Sequence, residues 1–304
     1  MAVVWQFAII ELDKKTLFTG VILEEIPFVY QKQISKFQNL QKLIRSYFIQ
    51  RAINQKITIR IGEEKVQTQT DKYGSFFVAI DNFQQNPVSI TLSDDFPLEI
   101  IQKYPIKFKN TSGTFDVISD IDDTIIVSYS ANFYKRIKTL LTNSPKDRSV
   151  VRFSSKLFEV FCKKNARIFY ISKSESNLFN MLTTFIEHNN LPKGSLILTP
   201  YLKFHELFLS KKGKDFKVNY IRFILENSEN KKFVLIGDDS QKDLEVYTII
   251  AEEYPIRILK IFIRQTNKIR PKSHGAFWKK LQAMEIPTKY FKSMDDVGEE
   301  INLF

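Results

Sequence analysis

The alternation of apolar and polar residues divides the chain into two parts. In residues 1–114, short β-rich runs separated by polar turns predict strands at 3–11, 17–23, 57–61, 66–70, 74–80 and 88–92. Within this part, residues 30–54 place apolar side chains three or four positions apart, which predicts an amphipathic helix. We therefore expect residues 1–114 to form a small, mainly β domain with one helix.

Residues 115–304 change to strands that alternate with helices. The pattern predicts strands at 115–119, 167–172, 195–198, 232–236 and 256–263, and helices at 131–141, 154–165, 175–189, 217–227 and 241–252. Such alternation is typical of an α/β domain with helices on both faces of a parallel sheet. The tail from residue 284 is mixed, and its acidic residues predict a terminal helix.

An acidic sequence, D-I-D-D-T at 120–124, directly follows the first of these α/β strands. In open α/β sheets, the reactive groups lie beyond the carboxyl ends of the strands. Asp120 and Asp122 alternate along an extended segment, so both side chains can face one site. Buried carboxylates repel each other unless a cation lies between them, and oxygen ligands favour Mg²⁺. An acidic loop that caps a helix would show the same pattern, so these residues alone do not distinguish a reactive site from a helix cap.

The D-I-D-D-T sequence resembles D-x-D-x-T, the first motif of the haloacid dehalogenase superfamily of phosphotransferases. Three further features follow in the order of that superfamily. Ser172 ends an apolar strand, Lys217 begins a helix, and a second acidic strand end carries Asp238, Asp239 and Asp243. Three nearby lysines are alternatives to Lys217: Lys211, Lys212 and Lys214.

A narrower resemblance rests on four segments: SDIDDTI (119–125), YIS (170–172), KKFVLIGDDSQKDLEVY (231–247) and ILKIFIRQ (258–265). They resemble the phosphatidate phosphatases related to the yeast actin-patch protein, together with their bacterial relatives. Upstream, TQTDKYGSFFVAI (68–80) resembles a hairpin of transthyretin-like β-sandwiches and the β domain of those bacterial relatives. The resemblance implies a transthyretin- or immunoglobulin-like domain at 1–114. It implies a haloacid-dehalogenase-like (Rossmannoid) three-layer domain with little or no cap at 115–304.

The resemblance also implies a mechanism, Mg²⁺-dependent phosphomonoester hydrolysis. Asp120 would be the nucleophile that forms an aspartyl-phosphate, and Asp122 would be the general acid and base. Asp120, Asp122 through its backbone carbonyl, and Asp238 would hold Mg²⁺, with support from Asp239 or Asp243.

The remaining implied residues bind or balance the phosphoryl group. Ser172 would hydrogen-bond a phosphoryl oxygen, and the Lys217 ammonium would offset the repulsion between phosphate and the nucleophile. Thr124 and Lys173 would assist substrate binding. The implied substrate is phosphatidate, which would yield diacylglycerol. Two alternatives remain: another phosphomonoester (a phosphoprotein, a sugar phosphate or a nucleic-acid end), or an inactive module that binds lipid or nucleic acid.

The net charge of +11 suits an anionic partner such as a phosphorylated substrate or an acidic membrane surface, although a general use of lysine for solubility would give the same value. Residues 260–280 contain no acidic residue and interleave basic with aromatic side chains. This segment could lie on anionic lipid, could follow a nucleic-acid backbone, or could be an ordinary solvated face. With phosphatidate as the implied substrate, we expect peripheral contact with anionic lipid and do not favour nucleic acid.

The compartment is judged from the amino terminus and from cysteine use. Residues 1–15 lack a basic region and a cleavage site, so they indicate a strand rather than a signal peptide. No apolar run reaches the length of a membrane span. The single cysteine, Cys162, lies in an apolar helical pattern and is predicted to be buried. We therefore expect a reducing, cytoplasmic location, with peripheral membrane contact as an option.

Overall fold

The computed structural model describes residues 2–29, 35–81, 88–92, 97–125, 150–201, 214–240, 242–267, 269–270, 272–302 and 304. These residues form two compact units. The first contains the described residues of Met1–Asn110, Ser174–Thr183 and Leu198–Lys211, and the second those of Thr111–Lys173, Thr184–Ile197 and Lys212–Phe304. The division into domains at residue 114 stays a prediction. The helix predicted at 131–141 lies outside the described residues.

The first unit contains two mainly antiparallel sheets. Its elements are β1 (Val3–Glu11), β2 (Lys15–Leu23), α1 (Lys36–Ser46), β3 (Lys56–Ile61), β4 (Glu64–Gln69), β5 (Ser75–Asp81), β6 (Val88–Leu92), β7 (Glu99–Ile100) and β8 (Lys107–Phe108). One sheet has the order β5-β2-β1-β7, with β8 also paired to β1, and the other has the order β4-β3-β6. One apolar core joins both sheets, with Phe7 and Phe76 from the first and Ile59 and Ile90 from the second.

Two local features of this unit follow from its sequence. The turn before β5 needs Gly74, which has a φ of +72° and whose added Cβ would lie 2.9 Å from the Ile22 carbonyl oxygen. Helix α1 is shorter than the predicted 30–54. It begins at a capping box, in which Ser35 and Gln38 bond each other's backbone N–H groups, and Tyr47 is its C-cap.

The second unit contains a six-stranded sheet with the order β11-β10-β9-β12-β13-β14. The strands are β9 (Phe115–Ser119), β10 (Ile168–Glu175), β11 (Ser195–Thr199), β12 (Lys232–Asp238), β13 (Ile258–Arg264) and β14 (Thr288–Phe291). The helices in this part of the chain are α2 (Arg152–Lys163), α3 (Phe179–His188), α4 (Lys214–Glu226), α5 (Asp243–Glu253), α6 (His274–Ala283) and α7 (Gly298–Ile301). The sheet is parallel at the pairs β10–β9, β9–β12, β12–β13 and β13–β14.

The predicted α/β class with a parallel sheet is confirmed, and the element bounds agree closely with the pattern. The sequence missed strand β14 in the mixed tail. The prediction that Cys162 is buried was wrong, because the cysteine is exposed. Phe158 and Phe161 form the buried side of α2, and the next position turns about 100° away from that side. Among the described residues, no helix has the length and apolarity needed to cross a membrane.

Candidate active site

The site lies at the point where the chain reverses its direction of travel across the sheet. From β9 the chain proceeds through β10 and β11 on one side, and β12 returns to pair with the other side of β9. Ligand sites of open α/β sheets form at such switch points, beyond the carboxyl ends of the strands. Asp120 follows β9, Asp238 ends β12, and the Asp120 N–H donates to the Ile236 carbonyl at 2.8 Å. The sheet therefore brings two acidic strand ends together.

Three buried carboxylates and one lysine form the centre of the site. Asp120, Asp238 and Asp243 each offer an oxygen, and these oxygens lie within 4.8 Å of one another. Lys217 Nζ donates to Asp120 Oδ1 at 2.7 Å and to Asp243 Oδ1 at 2.6 Å. Helix α4 supplies this lysine, whose side chain is only 1% exposed. Three acids thus surround one identified cation.

The pKa shifts report this excess of negative charge. Burial raises the pKa of Asp120 to about 7; Lys217 opposes the rise, while Asp243 and Asp122 add to it. Burial also raises the pKa of Asp238 well above its usual range, and Asp243 and Asp120 add to that rise. Burial alone would lower the pKa of Lys217, but Asp120 and Asp243 hold it above its usual range. A further positive charge would favour the ionised carboxylates.

The donor atoms fit a divalent metal ion. Asp120 Oδ2 is buried and accepts no hydrogen bond within the described part of the chain. A buried carboxylate oxygen without a donor is costly, and a hard cation would satisfy it. An all-oxygen ligand set suits Mg²⁺ or a similar ion. Asp120, Asp238 and Asp243 are therefore the residues that could hold a metal.

The other predicted side chains surround this cluster. Asp122 is 6% exposed, and Ser172 Oγ donates to Asp122 Oδ2 at 3.5 Å, the outer limit of a hydrogen bond. Ser172 lies within β10 and does not end it as predicted, because the strand continues to Glu175. Thr124 is buried, and its hydroxyl lies 3.5 Å from Asp238 Oδ2. Burial lowers the pKa of Lys173, and Asp243 acts in the opposite direction, so this lysine also belongs to the electrostatic surroundings of the site.

Asp239 has a different position from the clustered acids. Its Oδ1 accepts from the Thr266 backbone N–H at 2.7 Å, from the Thr266 hydroxyl, and from Asn267 Nδ2 at 3.2 Å. It is not one of the three clustered acids. Asp243, the first residue of α5, reaches the cluster because Gly237 leaves room: a Cβ added at Gly237 would lie 2.6 Å from Asp243 Cβ.

The sequence reasoning missed two residues that hold the loop after β9, Arg264 and Ser154. Arg264 Nη1 donates to the Asp123 carbonyl at 2.6 Å, and Asp123 has a φ of 58°, in the left-handed region. Ser154 Oγ donates to the Thr124 carbonyl at 2.9 Å. Arg264 could have been proposed as a site residue, since it is a charged residue at the carboxyl end of the mainly apolar strand β13. Ser154 gives no such signal within its helix.

Taken together, the parallel sheet and the site define a class, an α/β catalytic domain with an acid–lysine centre at its strand ends. The family model described as "Phosphatidate phosphatase APP1, catalytic domain" matches residues 115–265, about half of the 304 residues. Through residues 115–265, the chain therefore belongs to this family. The predicted resemblance to the actin-patch type of phosphatidate phosphatase is confirmed.

Individual relatives are more distant. The chain is 29% identical over 205 residues to phosphatidate phosphatase APP1 of Saccharomyces cerevisiae, which covers 64% of this chain and 34% of that protein. It is 24% identical over 231 residues to an uncharacterised Schizosaccharomyces pombe protein, which covers 73% of this chain and 37% of that protein. The chain thus spans about a third of the length of these curated relatives.

Solved structures are less similar. A carbohydrate acetylesterase from Xanthomonas citri aligns with 93% of this chain and 65% of its own at 8% identity, with a TM-score of 0.31. Similarity at this level carries no argument about fold or function.

Proposed function

We propose that the chain is a Mg²⁺-dependent phosphomonoesterase of the haloacid dehalogenase type that converts phosphatidate to diacylglycerol. One observation carries the proposal. Asp120, in the segment matched by the phosphatase family, is buried at a strand end with Lys217 on one carboxylate oxygen, and no described residue donates a hydrogen bond to the other oxygen. That arrangement suits a carboxylate nucleophile whose negative charge would be balanced by Lys217 at one oxygen and by a metal ion at the other.

Mg²⁺ would be held by Asp120, Asp238 and Asp243, together with the Asp122 backbone carbonyl, whereas Asp239 remains a candidate only for support. When bound, it would neutralise charge on the phosphoryl group and on the attacking carboxylate. Stabilisation of charge and correct positioning account for most catalysis of phosphoryl transfer. The raised pKa values of Asp120 and Asp238 support this assignment, because a bound cation would keep both carboxyl groups ionised.

The chain's own residues would perform two displacements. First, an Asp120 carboxylate oxygen forms a bond to phosphorus as the bond from phosphorus to the lipid oxygen breaks, and Asp122 gives its proton to that leaving oxygen. Next, Asp122 takes a proton from water, the water oxygen attacks phosphorus, and the aspartyl-phosphate bond breaks. The products are the alcohol and inorganic phosphate, and both aspartates return to their initial states.

Four further residues would hold the phosphoryl group and the loop. Lys217 keeps its positive charge between Asp120 and Asp243, so it would attract the phosphate without giving up a proton. The Ser172 hydroxyl would donate to a phosphoryl oxygen, and Lys173 would add a second positive charge. Thr124 would fix the loop that carries Asp120 and Asp122.

The lipid substrate is supported by the yeast relative, a phosphatidate phosphatase that shares 29% identity over 205 residues. Two alternative functions are compatible with the same fold. One is hydrolysis of a different phosphomonoester, and the other is binding without hydrolysis. We also propose that residues 1–114 form a β domain separate from the catalytic domain, and that the protein works in the cytoplasm, at or near a membrane surface.

The first experiment measures phosphate release from dioctanoyl phosphatidate and from p-nitrophenyl phosphate, with Mg²⁺ and with EDTA. We expect Mg²⁺-dependent release by the wild type and a loss of at least about 10³-fold in Asp120→Asn. Asp81→Asn is the matched control, since its side chain is 92% exposed. Release from the generic ester alone would redirect the search to soluble phosphates. No release from either ester would contradict the proposed chemistry.

A further inference from the structure

Helix α1 carries a second apolar stripe on its exposed side. Its other side is buried through Leu43 and Tyr47, as expected for an amphipathic helix. Phe37 and Ile44 are seven positions apart and Phe48, in the turn that ends the helix, is four further on, so the three lie on one side of the helix. They are 65%, 42% and 62% exposed. A solvated helix face has no need of two aromatic rings and an isoleucine.

The charge near this stripe is mainly positive. Lys42 and Arg45 are exposed on α1, and α1 contains no aspartate or glutamate. Lys42 and Arg45 also line a groove of about 710 Å³ between α1 and the segment that follows β2. Ile26, 63% exposed, lines the same groove and adds a fourth exposed apolar side chain. Glu25 also lines the groove.

We propose that this stripe, formed by Phe37, Ile44 and Phe48, docks the protein on an anionic phospholipid bilayer. The apolar side chains enter the boundary between headgroups and acyl chains, and Lys42 and Arg45 lie among the lipid phosphates. Helices that lie in a membrane interface combine aromatic and aliphatic side chains with flanking cations in this way. Binding at this surface is independent of hydrolysis and needs no phosphomonoester.

The basic segment at 260–280 is a weaker candidate for the same role. Lys260 and Phe262 are buried in β13, Lys260 is paired with Glu300, and Arg264 bonds the Asp123 carbonyl. Exposed large apolar side chains do occur in the second unit, but they come from three separate segments: Ile256, Ile269 and Met294. Among the described residues, α1 therefore has the highest concentration of exposed apolar and basic side chains on one element.

The test is co-sedimentation of the full chain with vesicles in EDTA. Vesicles of phosphatidylcholine with phosphatidylglycerol supply negative charge without a phosphomonoester, and phosphatidylcholine alone is the neutral comparison. We expect binding to the anionic vesicles only. We expect at least about tenfold weaker binding for Phe37→Ser/Ile44→Ser/Phe48→Ser, and weaker, salt-sensitive binding for Lys42→Gln/Arg45→Gln.

A matched triple variant controls for the general loss of surface apolarity. Ile53→Ser/Phe77→Ser/Ile256→Ser removes three exposed apolar side chains outside α1 and should bind as the wild type does. Circular dichroism and thermal unfolding check that each variant is folded. Equal binding by the α1 triple variant and the wild type would overturn the proposal. A wild-type dimer that the α1 triple variant dissociates, without vesicle binding, would assign the stripe to a second copy instead.

Catalysis and docking can fail separately. Asp120→Asn should lose phosphate release yet sediment with anionic vesicles as the wild type does. The α1 triple variant should keep its rate on p-nitrophenyl phosphate, because none of its three residues belongs to the site. A triple variant that loses this rate while remaining folded would contradict a purely docking role for the stripe.

Discussion

Strand β9 has a buried ionic group near each of its ends, and the two groups differ in whether their charges and hydrogen bonds are balanced. Near its beginning, Asp116 accepts three hydrogen bonds from Arg167: Nε and Nη2 bond Oδ2 at 3.0 and 2.7 Å, and the backbone N–H bonds Oδ1 at 3.0 Å. After its end, Asp120 shares Lys217 with Asp243, lies near Asp238, and has one oxygen without a donor.

This difference distinguishes a structural ion pair, Asp116 with Arg167, from a candidate catalytic cluster around Asp120. Asp116 and Arg167 balance each other in charge and in hydrogen bonds, so their pair is complete without a ligand. Among the described residues, the three clustered acids share hydrogen bonds with one lysine, Lys217, and Asp120 Oδ2 has no donor, so the cluster can accept a further positive charge. A buried group that is incomplete by itself is the one expected to bind a metal and a substrate.

Removing the cation from each group should give the largest effects. In EDTA, we expect Arg167→Met and Lys217→Met each to lower the free energy of unfolding by about 3–5 kcal/mol, because each leaves buried carboxylates unpaired. Mg²⁺ should then raise the free energy of unfolding of Arg167→Met by as much as it raises that of the wild type, because the acidic cluster is intact in both proteins. The gain should be larger in Lys217→Met, where two carboxylates have lost their partner. Urea unfolding with and without Mg²⁺ measures both gains, and equal gains would argue against a metal at the cluster.

Removing one acid from each group should change stability in opposite directions. Asp116→Asn leaves Arg167 buried without a counter-charge and should cost about 3 kcal/mol or more. Asp238→Asn relieves repulsion with Asp120 and Asp243, so in EDTA we expect unchanged stability or a gain of about 1 kcal/mol. Both substitutions keep side-chain volume nearly constant, which makes them a matched pair. If Asp238→Asn were as destabilising as Asp116→Asn, the cluster could not have an excess of negative charge.

Without metal, the free energy of unfolding should also depend on pH. The pKa of Asp120 is about 7 in the folded state, against 3.8 for an ordinary aspartate, so between these values the folded protein binds a proton that the unfolded chain does not. The free energy of unfolding in EDTA should therefore fall as pH rises from about 4 to about 7, by at most about 1.4 kcal/mol per pH unit for one carboxyl. Asp238 contributes in the same direction.

The substitution Asp120→Asn tests whether Asp120 causes this dependence of stability on pH. It should flatten the dependence of stability on pH, whereas Asp81→Asn, at an exposed position, should not change it. Chemical denaturation at a series of pH values gives the comparison. A wild-type stability that rises between pH 4 and pH 7 in EDTA would contradict the raised pKa.

Much of the fold and part of the site could be predicted because they depend on local patterns. Strand β9 is a short apolar run that ends at an acidic sequence, and its observed bounds equal the predicted ones. Strand β14 was missed because its T-K-Y-F sequence lacks a clear apolar run and depends on pairing with β13. The helical pattern around Cys162 identified α2 but not which of its sides is buried.

The sequence by itself determined the alternation of strands and helices from β9 to β13, the acidic residues at two strand ends, and the excess of basic residues. These follow from side-chain periodicity and from charge, which are local properties of the chain. Only the tertiary structure decided that Lys217 contacts Asp120 across 97 positions of sequence, that Asp243 joins the cluster while Asp239 bonds Thr266, and that Asp116 is neutralised by Arg167. These choices depend on which strand ends become neighbours, and spacing along the chain does not fix distances between segments that meet only in the folded sheet.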